Sequence, residues 1–465
     1  MPDLASPPVS VDDIRAAERL LQGVVRPTPL EYSRALSAKV GAEVFLKCEN
    51  LQRAGSFKIR GAYTRMSRLS EEEKAHGVVA ASAGNHAQGV ALAAQLLGIR
   101  AQVFMPHGAP MPKISATKAY GADIEFVGTT VDECLVAASA GNHAQGVALA
   151  AQLLGISSKV YMPHGAPMPK ISATKGYGAE IEFVGSTVDE CLVAAHEFAA
   201  ATGAVLIHPF DHPDIVAGQG TCGLEILEQC PDVRTVLVSA GGGGLLAGVA
   251  IAMHALRPDV RVVGVLAEEA AAYPVSLKAG RPVPLERLST MADGIAVGRP
   301  GDVPFAVIEK LVDSVDTVSE ASLSRALLFL LERAKLVVEP AGAAAVARLM
   351  DPSAPRLEGP VVAVLSGGNI DPLLMLRIIR HGMAAAGRYL TFAVRVPDRP
   401  GSLARLLADV AGVDASVIEV RHNRNTSSLS VDETEIVVDV ETKGPEHREE
   451  VLEALRADGY RPLLR

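Results

Sequence analysis

Four short stretches of the 465-residue chain carry side chains and backbone shapes suited to chemistry. The first is Gly55-Ser56-Phe57-Lys58-Ile59-Arg60-Gly61, a lone lysine on a glycine-flanked turn. Burial lowers a lysine's pKa and exposes the neutral amine, a good nucleophile. Taken singly, Lys58 reads as a solvated residue opening a helix. The second stretch is Ser82-Ala83-Gly84-Asn85-His86, with a hydroxyl, an amide and several backbone donors where a strand gives way to a helix. Such a nest holds a carboxylate. Ser or Asn there also serves as an ordinary N-cap, and the two readings stand about even. His86 by itself reads as structural.

The third stretch is Gly241-Gly242-Gly243-Gly244-Leu245, which follows the apolar strand Thr235–Ser239 and opens a helix. Glycines at such a turn bring backbone N–H groups close to an anion, and the helix dipole favours negative charge there. A phosphate is the natural ligand, ahead of a merely close-packed turn. A dinucleotide competes: Gly242-x-Gly244-x-x-Ala247 fits that pattern, with Glu268 ending the next strand, but it leaves Lys58 without a task. The fourth is Ser366-Gly367-Gly368-Asn369, where Ser366 ends an apolar strand and either bonds a ring nitrogen or caps a turn.

Together these supply an amine for an aldehyde, a nest for a phosphate, an amide beside a ring and a hydroxyl for a pyridine nitrogen, which is what pyridoxal 5'-phosphate requires. Ser56–Ala62, Ser82–Gly89, Gly241–Leu245, Thr290-Met291-Ala292-Asp293-Gly294-Ile295-Ala296 and Ser366–Asn369 resemble the signature stretches of the threonine ammonia-lyases (threonine dehydratases), fold-type-II pyridoxal-phosphate enzymes. The resemblance covers nearly the whole chain. It implies a catalytic part of two open twisted sheets. It gives Lys58 the covalent hold on the cofactor and, once freed, the α-proton of L-threonine. It sets Phe57 on one ring face, Asn85 on the ring hydroxyl, Gly241, Gly242, Gly243, Gly244 and Leu245 on the phosphate, and Ser366 on the ring nitrogen. Ser82, Gly84, Asn85 and His86 would line the substrate carboxylate. The products would be 2-oxobutanoate and ammonia, in isoleucine biosynthesis. A serine dehydratase or racemase of the same family, or a non-catalytic amino-acid-binding protein, are the alternatives.

The elements that must position these residues alternate strand and helix, an α/β pattern with right-handed crossovers. Ser10-x-x-Asp13 caps a first helix ending near Gly23. Strands are expected at Val44–Cys48, Val78–Ala81, Ala204–Ile207, Thr235–Ser239, Val260–Ala267 and Val361–Leu365, and helices after Lys58 and over Gly218–Gln229. Residues 81–137 recur as 138–194, identical at 50 of 57 positions. Each copy reads as loop, helix (Ala87–Leu97 in the first), strand (Ala101–Met105), helix (Lys113–Tyr120), strand (Asp123–Val127) and a helix opened by Thr130-x-x-Glu133 or Thr187-x-x-Glu190. Two copies are too few for a solenoid and too alike for an old repeat. They read as a recent tandem duplication inside one domain, or an error in the sequence. A parallel sheet that takes one unit has no evident place for two. The Val78–Ala81 strand leads into the first copy, which favours its loop, whereas only the second runs on into His196–Phe210. The threonine ammonia-lyases carry the unit once.

Gly382–Arg388 reads as a linker. Beyond it the order β-α-β-β-α-β is ferredoxin-like: Tyr389–Val396, Gly401–Val410, Ala415–Val420, Glu435–Val440, Glu446–Ala457 and Tyr460–Leu464. The division expected is 1–384 for a catalytic domain and 389–465 for a small second one. Val396–Leu403 resembles the first strand–helix turn of an ACT-type regulatory domain, which implies a branched-chain amino-acid effector such as isoleucine and a homodimer or homotetramer. A plain dimerisation module is the alternative.

Composition fits. Apolar residues make up 49% of the chain, aromatics only 4%, with no Trp, so Ala, Val, Leu and Ile build the core, as in parallel α/β sheets. A net charge of −9 argues against a nucleic-acid surface. No apolar run spans a bilayer and no leader is evident, so a cytoplasmic protein is expected. Cys48, Cys134, Cys191, Cys222 and Cys230 lack metal or redox spacing and read as reduced thiols, with no metal site.

Overall fold

The computed structural model describes residues 8–76, 78–81, 85–105, 111–126, 159–162, 180–183, 205–285, 287–385, 387–423, 429–430 and 432–464. The chain forms two compact units, one of Met1–Leu323 with Arg333–Asp371, the other of Ser324–Glu332 with Pro372–Arg465.

The first unit holds a large and a small sheet. The large one has six strands in the order Leu30–Tyr32, Val44–Lys47, Val361–Val364, Thr235–Ser239, Arg261–Ala267, Ser314–Val318. All neighbours are parallel except the first pair. Every residue of Thr235–Ser239 and of Val361–Val364 is buried. That is why these strands read as unbroken apolar runs: helices cover both faces. The first helix, Val11–Leu21, opens with the expected capping box, Asp13 N–H donating to Ser10 Oγ at 3.2 Å and Ser10 N–H to Asp13 Oδ2 at 2.9 Å.

The small sheet is parallel, in the order Asp123–Phe126, Ala101–Met105, Val78–Ala81, Val205–Leu206. Its strands come from the first copy of the repeat and the segments on either side of the repeated stretch. Of the second copy, Lys159–Met162 pairs in parallel with Glu180–Phe183, starting Lys159 opposite Glu180. This is the pairing of Gln102 with Asp123 moved on by one repeat. Among the described residues these two strands pair only with each other. The helices expected after Thr130 and Thr187 lie outside the described residues.

Three helices meet closely behind the Lys58 turn. Lys58–Ser67 rests on Pro213–Gln229, which rests on Gly244–Leu256. A Cβ at Gly61 would come within 2.8 Å of the Ile215 carbonyl, and one at Gly218 within 2.6 Å of Gly61 Cα. Glycine at both places lets two backbones touch, fixing the height of the Lys58 helix.

The second unit has an antiparallel sheet in the order Ser416–Asn423, Glu433–Glu441, Tyr389–Pro397, Leu463–Leu464. Helices Ser402–Gly412 and Pro445–Ala457 lie between the first and second and between the third and last strands in sequence. Leu390, Phe392, Leu406, Val438, Val451 and Leu455 belong to its core. The stretch expected as a linker begins inside the Pro372–Ala385 helix. Gly382 does not end that helix, because Leu328 packs against it; the break comes at Gly387, at φ +65°. The last strand is shorter than the expected Tyr460–Leu464, since Pro462 has no N–H to give the ladder. Among the described residues no helix is long and apolar enough to cross a membrane.

Candidate active site

Lys58 is the first residue of its helix, and Phe57 is the cap. The turn before them is stitched to the Ser366 loop. Phe57 N–H donates to the Ser366 carbonyl at 3.2 Å, Gly368 N–H to that of Gly55 at 2.8 Å, and Ser56 bridges Gly367. The Lys58 ammonium donates to the Pro209 carbonyl at 2.9 Å and lies 5.2 Å from the centre of the Phe57 ring. Burial holds its pKa down to about 8, the Glu339 carboxylate opposing. About a tenth of the amine is then neutral at pH 7, against well under a thousandth for a free lysine.

Pro209 leads to the glycine turn through its neighbour. A Cβ on Gly244 would lie 3.2 Å from Phe210, whose ring also closes on Gly242. Gly243 caps the Gly244–Leu256 helix at φ +96°, the left-handed region that glycine tolerates. Tyr273 donates to the Gly242 carbonyl at 3.1 Å and Gly301 N–H to the same oxygen at 3.2 Å. The turn is thus pinned through its carbonyl. No group among the described residues accepts from the N–H groups of Gly241, Gly242, Gly243, Gly244 or Leu245. A helix N-terminus with free donors binds an anion.

Ser239 ends one strand of the large sheet and Ser366 lies two residues past the end of its neighbour, and Ser239 Oγ donates to Ser366 Oγ at 3.0 Å. The Ser366 proton is left to give to an acceptor elsewhere. Asn85, first residue of the Asn85–Leu97 helix, is buried. Its Nδ2 donates to Glu339 and its Oδ1 accepts from Asn369 at 2.7 Å. His86 Nε2 lies 2.7 Å from the Ile207 carbonyl, and burial with the nearby Lys58 charge lowers its pKa to about 3. It is therefore neutral, an Nε2–H donor that ties its helix to the small sheet. Ser82 and Gly84 lie outside the described residues.

Several residues without an assigned role stand beside these. Glu339 caps the Pro340–Met350 helix and is almost fully buried, its pKa raised to about 7 by burial against the pull of Lys113. Among the described residues its Oε2 accepts no hydrogen bond, Lys113 Nζ lying 3.8 Å away. Lys113 also pairs with Asp293 at 2.7 Å. Burial presses the Lys113 pKa down, yet Glu339 and Asp293 carry it above the usual lysine value. Behind the Lys58 helix, Arg60 is fully buried and forks onto Glu49 at 2.9 and 2.8 Å, with Glu225 at 2.7 Å. Lys47 joins Glu225 at 2.5 Å and the Thr28 carbonyl at 2.9 Å. Two cations and two carboxylates make a closed internal network. The sequence signals were slight: Asp293 and Asn369 lie within the quoted stretches, and Glu339 precedes Pro-Ala-Gly at a helix start.

Comparison with known proteins agrees with this geometry. The family model described as "Pyridoxal-phosphate dependent enzyme" matches residues 21–137 and 132–367. The chain belongs to the pyridoxal-phosphate-dependent enzymes. It is 42% identical over 453 residues to the L-threonine ammonia-lyase of Thermotoga maritima, covering 97% of this chain and 98% of that one. It is 40% identical to the L-threonine ammonia-lyase of Geobacter sulfurreducens, covering 96% and 97%. Among solved structures, the threonine deaminase of T.th. superposes with a TM-score of 0.62 at 36% identity, covering 78% of this chain and 99% of that one. Maize serine racemase gives 0.65 at 30%, covering 81% and 98%.

The residues fit the cofactor of that family. The free N–H groups of the glycine turn suit its phosphate, the partly neutral Lys58 its aldehyde, and the Ser366 hydroxyl its ring nitrogen. Membership in the family sets the dinucleotide reading aside.

Proposed function

We propose that this chain is an L-threonine ammonia-lyase that converts threonine to 2-oxobutanoate and ammonia. One observation carries the reading: the Lys58 amine bonds Pro209, whose neighbour Phe210 packs on the glycine turn with its unpartnered N–H groups. Amine and anion nest therefore lie on either side of one dipeptide. Bound here, pyridoxal phosphate supplies the aldehyde and the ring that takes up the electron pair left when the α-proton departs. Lys58 holds the aldehyde carbon, and its released amine takes the α-proton as general base. Gly241 to Leu245 hold the phosphate. Ser366 would hold the ring nitrogen through its hydroxyl, a neutral donor kept in place by Ser239. Phe57 covers a ring face, and Asn85, with Ser82, Gly84 and His86, receives the ring hydroxyl and the substrate carboxylate. The names of the relatives support threonine as substrate.

Purified protein with cofactor should show visible-edge absorbance and release 2-oxobutanoate from threonine faster than pyruvate from serine. Full turnover by Lys58→Ala would defeat the assignment, and a marked preference for serine would replace it with a serine dehydratase.

The second unit is, on our reading, a ferredoxin-like ACT-type regulatory domain in a homodimer or homotetramer, and the first is the catalytic domain. The order of strands and helices and the strand order of its sheet support this. A branched-chain amino acid such as isoleucine is the expected effector. Calorimetry on the holoenzyme that finds no heat with isoleucine, leucine or valine would remove it.

A further inference from the structure

The sequence alone accepts either copy of the repeat as part of the site. The two stretches that match the family model meet where the copies join, one ending at 137 and the other beginning at 132. We infer that the first copy, residues 81–137, builds the site, and that the second, 138–194, is an insertion the site does not use.

Contacts of four residues of the first copy carry this. Asn85 bonds both Glu339 and Asn369. Gln88 accepts from Asn369 at 2.8 Å. A Cβ on Gly89 would lie 3.1 Å from Lys58, so that helix passes directly over the lysine. His86 reaches Ile207, which follows the second copy in sequence. Val78 pairs with Val205, so the sheet closes from the strand before the repeated stretch to the strand after it.

The differences between the copies point the same way. Phe104 is fully buried and Ala101 is buried. Their counterparts Tyr161 and Ser158 would each carry a hydroxyl into an apolar place, where an unpaired hydroxyl is costly. Ala119 lies in the Met111–Ala119 helix, and its counterpart Gly176 is a poor helix former. In the small-sheet position the first copy is thus the better packed of two nearly identical segments. Excision of 138–194 also creates no foreign junction: Ala137 would precede Ala195-His196, just as Ala194 now does.

The test compares Asn85→Ala with Asn142→Ala, its counterpart, in the full-length chain, and adds a chain lacking 138–194. Pyridoxal phosphate affinity is read by spectral titration and by the cofactor-induced rise in melting temperature, so the copy assignment is read whether or not threonine is the substrate. It rests on the proposed function only for turnover, and wild type that binds cofactor but leaves threonine intact would defeat that function alone. Expected are a tenfold or greater loss of cofactor affinity for Asn85→Ala, wild-type affinity within twofold for Asn142→Ala, and retained uptake by the shortened chain. Loss with Asn142→Ala, partial loss with both variants, as when the copies exchange places, or an inert shortened chain would each overturn the inference. Should Asn85→Ala fail to fold, Gln88→Ala against Gln145→Ala gives the same comparison.

Discussion

The Lys58 ammonium donates to the Pro209 carbonyl at 2.9 Å. That single bond joins the Lys58 amine to the loop that covers the glycine turn. It also shows where the amine rests, on a backbone oxygen rather than on a carboxylate. A carboxylate partner would hold the amine fully charged; a carbonyl lets burial lower its pKa.

Lys58→Met should abolish turnover, by about 10³-fold or more. It should also stabilise the cofactor-free protein. The folded pKa, about 8, lies below the ordinary 10.5. The folded chain therefore binds fewer protons between those values. The stabilising contribution is present above pH 10.5 and is lost as pH falls through 8. At pH 7 the variant should gain about 2 kcal/mol over wild type, discounted from about 3 because the side chain is only partly buried, and little at pH 10.5. Urea titrations of the apoprotein at both pH values check this.

Glu339 behaves with the opposite sign. Burial raises its pKa to about 7, above the ordinary 4.5. Its contribution is full below pH 4.5 and lost as pH rises through 7. Glu339→Gln keeps an acceptor for Asn85 and removes the titration, while Lys113 retains Asp293. The melting temperature of the variant minus that of wild type should grow between pH 4.5 and 8. A difference that stays flat over that range would show that Glu339 is already ionised at the acid end.

Gly243→Ala should weaken cofactor binding by tenfold or more. The position has φ +96°, which costs an L-residue about 1–2 kcal/mol, and the added methyl meets the Tyr273 hydroxyl. Tyr273→Phe removes that oxygen together with its bond to the Gly242 carbonyl. The double variant should therefore bind better than Gly243→Ala alone, relieving the worst of the collision but not the backbone strain or the close approach of Ile308 Cδ1 at 2.8 Å and of the ring carbon at 2.9 Å. Spectral titration of the four proteins gives the coupling directly.

What the sequence disclosed was local. Gly241–Gly244 and Ser366 follow the ends of strands and Lys58 opens a helix, each in a run of small residues, and a turn of that kind can be read without its neighbours. The strands that hold them were legible for the same reason, as in the unbroken Val236-Leu237-Val238. The environment of Glu339 was not, because Lys113 and Asn85 reach it from distant segments, and Asp293, from a third, holds the same Lys113. Pro209 and Phe210 looked like loop residues, since nothing local says that a ring there closes on Gly242. The linker was expected to begin at Gly382, inside the Pro372–Ala385 helix, because a glycine that packs within a helix looks, in sequence, like a stop.

Arg60 illustrates the same limit. In sequence it is one more basic residue near a helix start; in the fold it is fully buried among Glu49, Glu225 and Thr221. Arg60→Met leaves two carboxylates facing one remaining cation, Lys47. Removing one partner of a buried ion network typically costs about 3–5 kcal/mol. Arg60→Lys should recover only part of this, because a point charge cannot span both oxygens of Glu49 as the guanidinium does. Glu49 also bears on pH. Burial pushes its pKa up, but Arg60 and Lys47 outweigh that and hold it below the ordinary value, so its stabilisation is present above pH 4.5 and lost under acid. Without Arg60 burial gains the upper hand at Glu49, so its contribution changes sign and is lost as pH rises rather than as it falls. Urea unfolding of wild type and Arg60→Met from pH 4 to 8 would show the gap between them narrowing as pH falls, and a constant gap would mean that Glu49 does not depend on Arg60 for its charge.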